Sequence, residues 1–243
     1  QIFTDAAFSD STIQPRHSLI EVLNAADIAT NWIGNQTPEK SYEIFIKQAR
    51  HSMIIDPMHS ELTFQKEYDE KLLPMVHKVL TPFKNQFSVV HMMGSHWWYE
   101  SRYPGSFRCY KPVIQSKHIP SNSKEEMINS YDNTVLYLDS FIDRTIKLAE
   151  KTNSQTLIIY LSDHGELLGE DNLWLHGQSG KGVSNPAMMV WYSEAFEKKN
   201  PKLIMDLKEN HKKKLNLDFF FPTIMKLYGI EGLKYDDTKL WNN

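Results

Sequence analysis

A single cysteine, Cys109, is the only thiol in the 243-residue chain, so no disulfide can form within it. This excludes a small bridged scaffold but leaves the compartment open, since exported proteins can do without bridges. No apolar run reaches the roughly 18 residues that a membrane-spanning helix needs. No pattern of basic residues followed by an apolar stretch marks a signal peptide. Long basic runs are lacking too, and the net charge is -3, so a nucleic-acid partner is not expected. Lys212-Lys213-Lys214 is the longest lysine run and reads as a solvated face. The chain starts at Gln1 without an initiator methionine. It is therefore expected to be a piece of a longer protein, with targeting or membrane segments upstream. What the chain does have is a 41% apolar and 23% charged composition, enough for a sizeable core in one large α/β domain or two small ones.

Strands alternate with helices along the chain. This predicts a mainly parallel sheet with helices on both faces. Residues 18–26 read as a helix and 27–33 as a short strand ending at Gly34-Asn35. Helical character returns at 40–50, residues 51–67 read as irregular, and 68–83 as helix with Pro74 near its start. Phe87 to Met93 is a compact apolar run and predicts a buried strand. Residues 97–122 form a long loop rich in Trp, Tyr and Pro, of a length that is often functional. Ser123 and Glu126 make a capping box. Behind them apolar residues recur at steps of three and four up to about Lys151. Gln155 to Ser162 is the strongest strand, Met188 to Tyr192 another, and 215–228 a last core helix stopped by Gly229.

Asp163-His164-Gly165-Glu166 directly follows the strongest strand. Ligands of open α/β sheets bind beyond the carboxyl ends of strands. A carboxylate and an imidazole there can share one cation, zinc accepting both oxygen and nitrogen. Gly165 lets the chain turn away behind them. The bland alternative has Asp163 capping a following helix and His164 packing. Two more of the ten histidines, His96 and His176, sit in loops at or near strand ends, which favours the metal-site reading. His91, five residues before His96, points into the sheet or caps it. Ser9-Asp10-Ser11-Thr12 precedes the first helix. It is either a polar entry loop or a hydroxyl nucleophile at a phosphate-favouring helix start. Trp97, Trp98 and Tyr99 form either an aromatic ledge at a lipid surface or the packing of their own loop.

Taken in order, four segments resemble the phosphoethanolamine transferases of the alkaline phosphatase and sulfatase superfamily. They are Phe3-Thr4-Asp5-Ala6 through Thr12; His91-Met92-Met93-Gly94-Ser95-His96 with Arg102-Tyr103-Pro104; Ser130-Tyr131-Asp132-Asn133; and Ser162 through Glu166 with Leu168-Gly169-Glu170 and Leu175-His176-Gly177. The resemblance runs from about residue 3 to 230. It implies an α/β sandwich of the alkaline phosphatase and sulfatase kind over residues 1–243, one catalytic domain without its first strand. It implies one or two zinc ions, with Asp163 and His164 as ligands and Thr12 as both ligand and nucleophile, Ser11 being the alternative. His96 and His176 then contact the substrate phosphate or a second zinc. Asn35, Lys40 and His91 are the substrate-side candidates. A further glutamate ligand is expected just upstream of this chain.

The reaction implied is transfer of phosphoethanolamine from phosphatidylethanolamine to lipid A or another envelope glycan, through a phospho-threonine. The expected place is the periplasmic face of the inner membrane, held there by an upstream anchor. A phosphodiesterase or phosphatase of the same superfamily would hand the group to water instead. A sulfatase is disfavoured, because its Cys/Ser-x-Pro-x-Arg nucleophile pattern is missing: Pro15 and Arg16 are adjacent and Cys109 is distant. A non-catalytic relative that kept the fold is the remaining alternative.

Overall fold

The computed structural model describes residues 3, 17–36, 42–55, 67–80, 85–214 and 216–232. Helix α1 (Leu19–Ala25) begins at a reciprocal cap. Ile20 N donates to Ser18 Oγ at 3.1 Å, and Ser18 N to Glu21 Oε2 at 3.3 Å. Strand β1 (Ala29–Gly34) follows, then α2 (Glu43–Gln48) and β2 (His51–Ile54). A 3₁₀ turn over Asp69–Leu72 leads into α3 (Leu73–Val79). Pro74 sits in its first turn, where a missing N–H leaves no bond unmade. Strand β3 (Gln86–His91) ends at the long loop, which contains short 3₁₀ turns at Tyr99–Ser101, Gly105–Phe107 and Ile119–Ser121.

Helix α4 (Lys124–Glu150) is the longest element, and its expected capping box is present. Glu126 N donates to Ser123 Oγ at 3.2 Å and Ser123 N to Glu126 Oε2 at 2.6 Å. Next come β4 (Leu157–Leu161), the short strands β5 (Leu167–Leu168) and β6 (Trp174–Leu175), β7 (Met188–Tyr192), and helices α5 (Glu194–Lys199), α6 (Pro201–Asn210) and α7 (Phe220–Leu227). Gly229, at φ +63°, ends the last helix as expected. No described helix is long and apolar enough to cross a membrane.

The fold is α/β. β2, β1 and β3 form a parallel sheet in that order, with Asn31 opposite His51 and Gly34 opposite His91. Helices cover both faces. On one, Leu19 and Leu23 of α1 and Phe220, Phe221 and Ile224 of α7 pack with Phe87, Leu157, Ile159 and Val190. On the other, Ile33 and Val90 meet Leu72, Leu73 and Val76, together with Phe141 of α4. The split between Phe87 and Val90 follows the two-residue alternation of β3.

Three features depart from expectation. β7 runs antiparallel to β4, with Leu157 opposite Tyr192. A parallel partner would need a crossover helix, and the 162–187 connection contains none. β3, expected to be buried, is half-buried, as is β4; among the described residues each pairs with a strand on one side only. The stretch 51–67, which reads as irregular in sequence, opens with strand β2 at His51–Ile54, and the β5–β6 hairpin, α5 and α6 add to the expected elements. β2 and the hairpin strands are too short to show an apolar period, and α5 is rich in Lys and Glu.

Replacing Ser123 by Ala removes one half of the α4 cap. Urea unfolding should show a loss of about 1 kcal/mol. An unchanged midpoint would mean that the box contributes nothing to the start of α4.

Candidate active site

The site is built from two strand ends and a hairpin. At the end of β4, Ser162 Oγ donates to the His164 carbonyl at 2.5 Å and Gly165 N donates to the Val183 carbonyl at 2.8 Å. A Cβ at Gly165 would overlap the Gly182 carbonyl oxygen, so the close backbone crossing behind the ligand pair requires glycine. The element directly after Asp163 is strand β5, not a helix, which removes the capping alternative. The Asp163 side chain is 79% exposed, and its Oδ1 lies 3.8 Å from His164 Nε2. That separation is near the roughly 3.4 Å that two ligands of one tetrahedral zinc span.

His176 arrives through the hairpin. Antiparallel pairing of Leu167 with Leu175 sets Glu166 opposite His176, and Glu166 Oε2 lies 3.0 Å from His176 Nδ1. Leu175 holds φ at +66°, a conformation that bulky side chains rarely adopt and that clusters at functional sites. The His176 ring stacks on His164 with centroids 4.0 Å apart, and His96 follows at 5.8 Å from His176.

The three imidazoles share one polarity. His96 Nδ1 is 2.5 Å from the Trp97 carbonyl oxygen, His164 Nδ1 is 2.8 Å from that of Gly165, and His176 Nδ1 faces the Glu166 carboxylate. A carbonyl or carboxylate oxygen can only accept, so each neutral ring carries its proton on Nδ1. The lone pair is then on Nε2 in all three, the arrangement found in metal-binding histidines. The candidate ligand atoms of His164, Glu166 and His176 all lie within 4.8 Å of one another. Both Glu166 oxygens already have partners, since Tyr99 OH donates to Oε1 at 2.6 Å. Glu166 therefore acts here as the group that orients His176, and the Asp163 carboxylate and His164 Nε2 are the better metal donors. This donor set fits zinc.

Negative charge collects around the site. Tyr99 is fully buried, and burial first, then its bond to Glu166, pushes its hydroxyl far above the usual phenol range. Burial and then Glu166 also raise Tyr131. Tyr160 is pushed up to about 12 by burial, then by Tyr131, Asp163 and Asp69. Burial lowers Arg102, against the opposing influence of Asp69. Asp69, Asp163 and Glu166 thus act on one neighbourhood, a potential that favours a cation.

The expected residues are distributed unevenly. Asp163, His164, His176 and His96 come together. Thr12 and its alternative Ser11, and also Lys40, lie outside the described residues. The His91 ring packs against Trp32 at 5.5 Å and Tyr42 at 4.5 Å. Asn35 is 3% exposed, and its amide donates to the Glu67 carbonyl at 2.9 Å and to Asp69 Oδ1 at 3.0 Å. It stands in the wall behind the site. The Trp97-Trp98-Tyr99 run packs its own loop, around Ile114, Met127 and Tyr131, so the lipid-ledge reading does not hold for buried Tyr99. Glu166 had a signal in the motif itself but no assigned role. Asp69 had none, because its partners, the Asn35 side chain and the Met93 and Gly94 amides, lie 24 to 34 positions away in the chain.

The sulfatase family profile matches residues 3–230. The chain is similar to phosphoethanolamine transferase EptA of Helicobacter pylori, at 34% identity over 203 residues, which is 81% of this chain and 38% of that one. It thus spans well under half of that relative's length. Among solved structures it resembles the C-terminal periplasmic domain of EptC from Escherichia coli in complex with Zn. There the TM-score is 0.86 at 23% identity, covering 100% of this chain and 70% of the other. The integral membrane lipooligosaccharide phosphoethanolamine transferase A of Neisseria meningitidis superposes with a TM-score of 0.78 at 24% identity, covering 93% and 44%.

Gly165→Ala should separate His164 from His176 by forcing the 165 and 182 backbones apart. Zinc affinity measured by calorimetry is expected to fall at least about tenfold, as for displaced ligand supports. Wild-type affinity in that variant would show that the close crossing does not shape the site.

Proposed function

The chain belongs to the sulfatase family, and on that premise we propose that it is the catalytic domain of a phosphoethanolamine transferase. The row of imidazoles with Nε2 lone pairs, beside the exposed Asp163 carboxylate, is the observation that carries this reading. Relatives named for the same transfer support it. Asp163 and His164, with Thr12, would hold zinc, which when bound supplies positive charge to the phosphoryl oxygens and makes the Thr12 hydroxyl easier to deprotonate.

The chain's own residues do the rest. Thr12 Oγ1 attacks the phosphorus of phosphatidylethanolamine. The bond from phosphorus to the glycerol oxygen breaks, diacylglycerol leaves, and phosphoethanolamine remains as an ester of Thr12. A phosphate or sugar hydroxyl oxygen of lipid A or another envelope glycan then attacks the same phosphorus, and Thr12 is released. His96 or His176, once its Nε2 lone pair has taken up a proton to give the imidazolium, passes that proton to the departing glycerol oxygen, while Nδ1–H stays on its backbone or carboxylate acceptor. Asn35, Lys40 and His91 belong to the substrate side of this scheme, Asn35 from the wall. The periplasmic face of the inner membrane, reached through an upstream anchor, suits a lipid donor and follows the periplasmic and membrane neighbours.

Intact mass before and after exposure to phosphatidylethanolamine tests the reading. A gain of one phosphoethanolamine is expected, absent in Thr12→Ala. Asp163→Ala should lower the labelling rate at least about hundredfold with unchanged circular dichroism. A labelled Thr12→Ala protein would move the nucleophile elsewhere, and an active Asp163→Ala protein would remove the ligand assignment. Labelling that water alone discharges, with lipid A present, would favour the phosphodiesterase.

A further inference from the structure

His96 owes its place to charges on both sides of its loop. After β3 the chain leaves the sheet, so the amides of residues 92–96 have no strand to pair with. Asp69, from the turn before α3, supplies the acceptors. It is 4% exposed. Its Oδ1 accepts from Met93 N at 2.9 Å, and its Oδ2 from Gly94 N at 2.9 Å. Gly94 turns the chain at φ +58°. Beyond His96, the Arg102 guanidinium donates from Nε to the His96 carbonyl at 2.8 Å and from Nη2 to the Trp97 carbonyl at 2.8 Å. The latter carbonyl also holds His96 Nδ1.

The Asp69 anchor and the loop are themselves held. The Asn35 amide donates to Asp69 Oδ1. Glu70 N, next in the chain, donates to Tyr137 OH of α4 at 3.0 Å. The Ser95 and Thr134 hydroxyl oxygens, 2.6 Å apart, tie the loop to the same helix. A carboxylate removed from water is tolerated only where donors replace the water, and this one accepts from the amides of the two residues that lead to Ser95 and His96. A planar fork on the two carbonyls that follow completes the hold. Little is left free in the backbone on either side of the imidazole.

We propose that Asp69 and Arg102 are positioning residues for His96, one fixing the amides before it and the other the carbonyls after it, so that its Nε2 meets substrate beside His176. The proposal rests on the transfer role given to His96 above. It explains why a carboxylate with no place in the reaction is kept buried beside the site.

A mutant cycle on the full-length protein decides it. Asp69→Asn puts an N–H against a backbone N–H in place of one acceptor. We expect kcat for phosphoethanolamine transfer to fall about ten- to a hundredfold, the effect of a misplacement of about 1 Å, with KM within about twofold. In the His96→Ala background the same substitution should change kcat by less than about twofold. An equal loss in both backgrounds overturns the proposal. If Asp69→Asn fails to fold, Arg102→Lys enters the same cycle, since it keeps the charge and loses the fork. Spectra of ¹⁵N-histidine-labelled protein separate this claim from the functional one. Asp69→Asn, or Arg102→Lys in its place, must shift the His96 ring resonances while those of His118, bonded to Ser121, stay in place. Should wild-type protein show no transfer, the functional reading fails, and unmoved His96 resonances would sink the positioning claim as well.

Discussion

Glu166 is a carboxylate with only 7% of its side chain exposed, and a charge so far from water persists only where donors surround it. Its two oxygens draw on two separate pieces of chain. Tyr99 comes from the long loop after β3, and His176 from the far strand of the β5–β6 hairpin. Satisfying this one group therefore stitches loop to hairpin at the end of β4. His176, once oriented, stacks on His164 and stands next to His96. The imidazole row follows from the need to match a buried anion.

The same logic runs through the rest of the site. Asp69 is buried and matched by two backbone amides and the Asn35 side chain. Asp163, by contrast, is exposed and accepts from one neighbouring amide, His164 N. Carboxylates that orient are buried and fully engaged, while the carboxylate suited to a cation is open. That division is what a preorganised electrostatic site requires, because the supporting groups do not move when charge develops in the reaction.

Much of the fold was legible, for local reasons. The α1 and α4 starts depend on a hydroxyl and a carboxylate three residues apart, at Ser18 with Glu21 and Ser123 with Glu126. β4 shows itself as a continuous β-branched and apolar run. The hairpin, β2, α5 and α6 were hidden. Two- and four-residue strands carry no period, and their pairing is decided by partners elsewhere in the chain. The antiparallel sense of β7 was hidden for the same reason, since strand direction depends on the path of the connection.

By itself, the chain's chemistry determined the α/β alternation, the helix caps, the Asp163-His164 pair at a strand end and the family likeness. Each is carried by short segments whose residues lie within a few positions of one another, the likeness by four such segments in order. Only the tertiary structure decided that Glu166 orients His176, that Tyr99 serves Glu166 and not a lipid surface, and that Asn35 and Asp69 stand behind the loop of His96. These assignments turn on which donors reach a buried carboxylate across 10 to 67 positions of sequence. Such a choice depends on the packed geometry, because a carboxylate reads the same in sequence whether water or protein satisfies it.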